Sequence, residues 1–168
     1  MKYFRIDGEL TDEITDKLVE FFNIYSEDQK TVYLSSSGGS VYHAEVITDI
    51  LNLNKLKTTL VLGEYLYSSA VCLAFDFQGN KRFLPQGTLS MLHFTNVDVS
   101  ARDLHDENSL SSVQVKEVAI LNAHLLEKYF KFLTHAELEI VQKGKEVWLG
   151  SERTKKLILN ELPEMSSM

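Results

Sequence analysis

The chain has 168 residues, with 17 Lys+Arg against 24 Asp+Glu, a formal net charge of −7 and 44% hydrophobic residues, which suits one domain with its own core. The acidic balance argues against nucleic acid and anionic membranes, which need clustered Lys and Arg; the nearest basic cluster, Arg153, Lys155 and Lys156, is too small. A single cysteine, Cys72, excludes a disulfide framework and a thiol-based zinc site, and no apolar run nears the ~18 residues of a spanning helix or a signal peptide's core, so a cytoplasmic protein is expected.

Residues 3 to 6 alternate weakly and predict a short strand closed by an Asp7-Gly8 turn. Thr11 then reads as an N-cap, because Asp12 and Glu13 fall in the positive first turn and Ile14, Leu18, Phe21, Phe22 and Tyr25 recur at helical spacing to about 26. Thr31-Val32-Tyr33-Leu34 predicts a strand that ends in Ser35-Ser36-Ser37-Gly38-Gly39-Ser40. A second amphipathic helix follows at about 41 to 53, with Ala44, Ile47 and Leu51 on one row and Val46, Ile50 and Leu53 beside it.

Thr58 to Leu62 is the next buried strand, broken at Gly63, and Ser68 to Phe75 reads as a buried helix rich in small residues. Lys81 to Leu84 and Thr88 to His93 predict two short strands around Pro85-Gln86-Gly87. This alternation makes an α/β domain with crossover connections, not a helical bundle or a sandwich. Residues 95 to 112 are polar; Val113, Val115, Val118, Leu121, Leu125 and Tyr129 then mark one long helix to about Leu133. Thr134 caps a shorter helix to about Lys143, Gly144 stops it, and Val147-Trp148-Leu149 is a short apolar segment. Ser151 starts a last helix with Glu152 early and Lys155 and Lys156 late, as the macrodipole prefers. The expected organisation is one domain over 1–162 and a frayed tail at 163–168.

Three features carry possible chemistry. The loop Ser35 to Val41 lies between a strand and a helix, and its two glycines can bring backbone N–H groups against a negative oxygen. It lacks the lysine and hydroxyl of a phosphate-binding Walker loop, and a plain tight turn accounts for it equally well. Ser68 or Ser69 opens an apolar helix, where a nucleophile would have the next backbone N–H as an oxyanion donor; the plain alternative is an N-cap. His93 ends a strand, and it gains meaning only beside Ser68. The other histidines, His43, His105, His124 and His135, read as helix-face or loop residues, and no pair has metal-ligand spacing with an acidic partner.

Together, Gly38-Gly39-Ser40-Val41, the serine at 68, Lys81-Arg82-Phe83-Leu84-Pro85 and Met91-Leu92-His93 resemble, in order and spacing, the Clp protease proteolytic subunit, ClpP. In that family a Ser-Pro-Gly-Gly-Ser-Val loop precedes a nucleophile in an Ala-Ser-Met-Gly-Ala-like segment, then Lys-Arg-Phe, a Leu-Pro turn and Met-Ile-His. The resemblance runs from about Tyr3 to Leu159. It implies a ClpP/crotonase-like spiral of repeated β-β-α units with a protruding long helix after the catalytic histidine. Position by position, Ser68 matches the nucleophile, His93 the general base, and the Gly39 and Ser69 amides the oxyanion hole. Glu146, before Val147-Trp148-Leu149, matches the family's aspartate, and a solvated acid beside Lys143 and Lys145 is its plain alternative.

The chain also departs from the family. Ser37 stands where the family has proline, Tyr65-Leu66-Tyr67 replaces small residues before the nucleophile, and Ala70 replaces a glycine after it. One residue is added between Gly63 and Ser68, which leaves Ser69 as a fallback nucleophile. The glycine-rich stretch after the family's histidine is here Phe94-Thr95-Asn96-Val97-Asp98-Val99, and Met1 falls almost on the first strand, where the family has the axial loops that meet an AAA+ ATPase. The expected function is a ClpP-like serine endopeptidase acting on peptides or unfolded protein, without a cofactor or metal, in a ring-forming homo-oligomer. Docking to an AAA+ ATPase is not implied. The alternatives are a catalytically degenerate structural or binding subunit and an acyl-CoA-binding protein of the crotonase fold; fold alone does not separate them.

Overall fold

The computed structural model describes residues 1–95 and 110–161; the tail expected at 163–168 and most of the polar stretch between 95 and 112 lie outside them. They form two compact units, Met1–Leu92 with the residues from Trp148 onward, and His93–Val147.

The first unit alternates strand and helix as the hydrophobic pattern requires: β1 (Lys2–Leu10), α1 (Asp12–Ile24), β2 (Lys30–Gly39), α2 (Val41–Leu53), β3 (Thr58–Tyr67), α3 (Ser69–Asp76), β4 (Asn80–Phe83), β5 (Leu89–Leu92), and finally β6 (Val147–Leu149) and α6 (Ser151–Ile158). The sheet order is β1-β2-β3-β5-β6, with β4 also beside β3. β1 pairs in parallel with β2, β2 with β3, and β3 with both β4 and β5. Parallel neighbours need a crossover, and the helices supply it. The register sets Ile6 opposite Leu34 and Leu34 opposite Leu62, all three sealed from solvent. Leu18 and Phe22 of α1, Ile47 and Leu51 of α2, and Val71 and Ala74 of α3 complete the core. This is the mixed α/β fold that the sequence resemblance implies.

Several boundaries differ from expectation, each for a tertiary reason. Asp7-Gly8 is not a turn: β1 continues to the buried Leu10, and the only disturbance is a register shift after Gly8. β2 does not stop at Leu34 but runs through the serines to Gly39, because Ser35 and Ser36 are buried with their hydroxyls occupied. The Ser36 Oγ accepts from the Gly38 N–H at 3.1 Å and the Ser35 Oγ from the Tyr65 N–H at 3.5 Å. Gly63 does not break β3. A Cβ there would lie 2.5 Å from the Tyr33 hydroxyl, so glycine lets β2 side chains cross the strand. The partner of β3 changes beyond it: β4 pairs with Thr59 to Leu62 and β5 with Tyr65 to Tyr67. Leu53 is 86% exposed rather than part of the α2 core face. The last helix does start at Ser151, with Gly150 as its N-cap residue. Thr11 does cap α1, accepting from the Ile14 N–H at 3.4 Å.

Lys81 ties two helix ends together. Its Nζ donates to the Phe75 carbonyl of α3 at 2.8 Å and to the Ile158 carbonyl of α6 at 3.2 Å, at the negative C-terminal ends of both helix dipoles, which favour a cation.

The second unit holds α4 (Leu110–Lys128), a single 3-10 turn at Phe130–Phe132 and α5 (His135–Gln142). The long helix therefore ends at Lys128 rather than near Leu133. The chain tightens so that Tyr129, Phe130, Phe132 and Leu133 are all buried, which one straight helix face would not achieve. Thr134 forms a capping box with Glu137 at the start of α5, and Gly144 takes φ +71° beyond its end. Asn122 holds the segment after His93 to α4: its Oδ1 accepts from the Thr95 N–H at 2.9 Å and its Nδ2 donates to the Thr95 carbonyl at 3.0 Å.

Candidate active site

The decisive local feature is the junction between β3 and α3. The strand ends at Tyr67 and the helix begins at Ser69, so one residue makes the whole turn. That residue is Ser68, at φ +54° and ψ −126°, a conformation that L-residues rarely adopt. Such backbone costs on the order of 1–3 kcal/mol and persists only where surrounding contacts impose it. Two bonds impose it here: the Ser68 N–H donates to the Met91 carbonyl at the end of β5 at 2.8 Å, and its carbonyl accepts from the Val71 N–H at 3.0 Å. The Ser68 side chain makes no capping hydrogen bond and is half-buried. A strained strand-turn-helix serine is the geometry that presents a nucleophilic hydroxyl in hydrolases of unrelated fold.

The Gly-Gly loop packs directly against this junction. Gly38 and Gly39 take φ of +88° and +135°. A Cβ on Gly38 would lie 2.6 Å from the Tyr67 carbonyl and 2.9 Å from the Ser68 Cβ; one on Gly39 would lie 2.7 Å from the Leu10 carbonyl. Both positions therefore need glycine twice over, for backbone sign and for space. Ser69 fastens the loop from the other side, its Oγ donating to the Gly39 carbonyl at 3.0 Å. With Ser69 buried and its one hydroxyl proton committed, the two adjacent serines have different local chemistry.

His93 and Glu146 belong to the second unit, and Ser68, Ser69 and Gly39 to the first. His93 directly follows β5, two residues after the Met91 whose carbonyl holds Ser68. Its Nδ1 lies 2.7 Å from the Phe94 carbonyl oxygen. A carbonyl only accepts, so this contact puts the proton on Nδ1 and leaves the Nε2 lone pair to take a proton. Glu146 is exposed, two residues before Trp148 of β6.

The family described as Clp protease matches residues 3–156 of the chain. The chain belongs to the Clp protease family. The match runs from β1 into α6 and takes in the glycine loop, the Ser68 junction and the histidine. No curated protein matches the chain. Family membership makes this a ClpP-like domain of the serine peptidase class, with the mixed α/β fold described above.

Within this Clp protease frame the structure adds residues that patterns of catalytic motifs overlook. Tyr65 and Tyr67 alternate on β3, so both project from the same face, and their ring centroids are 5.0 Å apart. Trp148 of β6 meets Tyr67 edge-on, with centroids also 5.0 Å apart. The period-2 spacing of the two tyrosines was the available signal. His43, expected as a helix-face residue, pairs its Nε2 with the Asp12 Oδ1 at 2.7 Å, joining the first turns of α2 and α1. Ser36 supports the glycine loop from below, a role its place in a serine run conceals.

Proposed function

We propose that the chain is a ClpP-like serine endopeptidase acting on peptides or unfolded protein, with Ser68 as nucleophile and His93 as general base. The observation that carries this reading is the strained Ser68 turn with the Gly38-Gly39 loop packed against it. A serine serving only as an N-cap would take an extended conformation and accept from a helix N–H; Ser68 does neither. The engaged Ser69 hydroxyl favours Ser68 over its neighbour.

In this mechanism His93 Nε2 accepts the Ser68 hydroxyl proton as Oγ attacks a peptide carbonyl carbon. The carbonyl electron pair moves onto oxygen, where the Gly39 and Ser69 amides stabilise the negative charge. Collapse of this tetrahedral species breaks the C–N bond, and the imidazolium returns its proton to the departing amine. His93 then takes a proton from water as the water oxygen attacks the acyl carbon, and returns it to Ser68 Oγ as the C–Oγ bond breaks and the acid departs. Glu146 stabilises the imidazolium as the aspartate-like third member, while the Phe94 carbonyl supports the productive tautomer. The reading extends to a single domain over 1–162, to a cytoplasmic setting and to self-assembly into homo-oligomeric rings.

Labelling with a fluorophosphonate probe tests the assignment. Wild type and Ser69→Ala are expected to label and Ser68→Ala is not; absence of labelling in the assembled wild-type protein overturns the peptidase reading. A degenerate, purely structural subunit has no need to keep Ser68 in a strained turn, which favours the active reading.

A further inference from the structure

We propose that Ser90 and Thr154, two buried hydroxyls that the hydrolytic steps do not use, are positioning residues: their hydrogen bond fastens β5 to α6 and so sets the Met91 carbonyl that holds the Ser68 turn. The inference rests on the peptidase reading for the role of Ser68 and concerns what keeps that serine in place. Both side chains are sealed from solvent, and their oxygens lie 2.9 Å apart although 64 residues separate them in the chain. The Thr154 Oγ1 donates to the Leu149 carbonyl at 3.2 Å. A hydroxyl has one proton, so Thr154 has none left for Ser90, and the bond between the two runs from the Ser90 hydroxyl to Thr154 Oγ1. A directed chain of hydrogen bonds thus leads from β5 through α6 to the end of β6.

The strand needs such a fastening. β5 is four residues long and meets β3 in the pairs Tyr65 with Leu89, Leu66 with Ser90 and Tyr67 with Met91. A slip of one residue turns every side chain of so short a strand to the opposite face and carries the Met91 carbonyl away from the Ser68 N–H, which it accepts at 2.8 Å. α6 holds β5 against that slip at two levels. Gly87, in the turn before β5, passes so close to the first residue of α6 that a Cβ on it would lie 2.5 Å from the Ser151 Cβ; three residues further along each element, Ser90 bonds to Thr154. Close packing has no direction of its own, whereas a buried hydroxyl penalises every position of the strand that leaves its proton unpaired. An apolar pair of similar volume would fill the space without burying polar groups, so packing by itself does not account for two hydroxyls here.

The experiment compares wild type, Ser90→Ala, Thr154→Ser and the double variant Ser90→Ala/Thr154→Val. It reads hydrogen exchange of the Ser68 amide, by mass spectrometry with residue-resolving fragmentation, beside steady-state peptide hydrolysis and thermal midpoints. In Ser90→Ala the Ser68 amide is expected to exchange about tenfold faster while the amides of β2 keep their rates, and kcat to fall about tenfold with KM unchanged. Thr154→Ser keeps the hydroxyl and stays close to wild type in both. The double variant removes both partners and leaves neither unpaired, so its midpoint is expected near that of wild type, yet the fast exchange and low kcat persist. Recovery of kcat together with the midpoint in the double variant marks a purely structural role and overturns the proposal. An unchanged Ser68 amide in Ser90→Ala, or a Thr154→Ser protein as impaired as Ser90→Ala, does the same. Fluorophosphonate labelling of the wild type is run in parallel. Selective loss of Ser68 protection without labelling leaves the fastening standing and removes the peptidase reading; labelling with an unchanged Ser68 amide does the reverse.

Discussion

At the scale of single residues, the junction serine places geometry ahead of local stability. Ser68 sits at φ +54°, where its Cβ is strained, and its backbone is held there by Met91 and Val71. Removing the Cβ relieves the strain, and this exceeds the extra unfolded-chain entropy of glycine, which is roughly 0.5–1 kcal/mol. Ser68→Gly is therefore expected to unfold later than Ser68→Ala, by about 1 kcal/mol in chemical denaturation, while both lose fluorophosphonate labelling. A Gly variant less stable than the Ala variant contradicts imposed strain. The second residue-scale consequence concerns His93. Where a carboxylate alone orients the base, its conversion to an amide costs about 10⁴ in kcat. Here the Phe94 carbonyl already fixes the Nδ1–H, so Glu146→Gln is expected to lower kcat by only about tenfold. A loss near the larger figure, read from steady-state peptide hydrolysis, assigns the orienting role to Glu146 instead.

At the scale of elements, β3 organises the first unit. Its first half pairs with β4, its second half with β5, and its end delivers Ser68 to α3. Lys81 of β4 then fastens the far end of α3 to that of α6 through two carbonyls. Burial makes the charged form costly and pushes the Lys81 ammonium down to about 8 from an ordinary 10.5. The sign follows from proton counts. Between these values the unfolded chain holds a proton that the folded chain has released, so this lysine's contribution to stability rises with pH across that window and is lost again as pH falls through about 8. Below it both states are protonated and the burial cost is felt in full. Thermal midpoints of wild type and Lys81→Met, compared from pH 7 to pH 10, are expected to change in the wild type's favour as pH rises. A constant or opposite difference excludes the buried-ammonium account.

At the scale of the whole molecule, two compact units carry different loads: the parallel sheet with its glycine loop and junction serine, and a helical unit that contains His93 and Glu146. The second unit exposes apolar surface on α4, where Ile120 is 72% and Val113 43% exposed, more than an isolated chain has use for. With ring assembly proposed, wild-type protein is expected to elute from size exclusion as a multiple of the single chain. Ile120→Glu is expected to move the distribution toward monomer without a loss of helix signal; a monomeric wild type contradicts assembly. Much of this architecture was legible in advance, because helix and strand periods and end signals are local. Thr11, Thr134 and Gly144 stand where caps and stops belong, and the order of glycine loop, serine, Lys-Arg-Phe and histidine was sufficient for the family. The sequence by itself thus determined the α/β alternation, the family and the candidate residues. Only the tertiary structure decided that Asp7-Gly8 and Gly63 lie within strands, that Ser35 and Ser36 are buried, that the Ser69 hydroxyl is engaged while Ser68 makes no capping bond, and that Tyr65, Tyr67 and Trp148 share one surface. Each of these depends on what a neighbouring strand supplies, a hydrogen-bond partner or room for a missing Cβ, and such partners are distant in the chain.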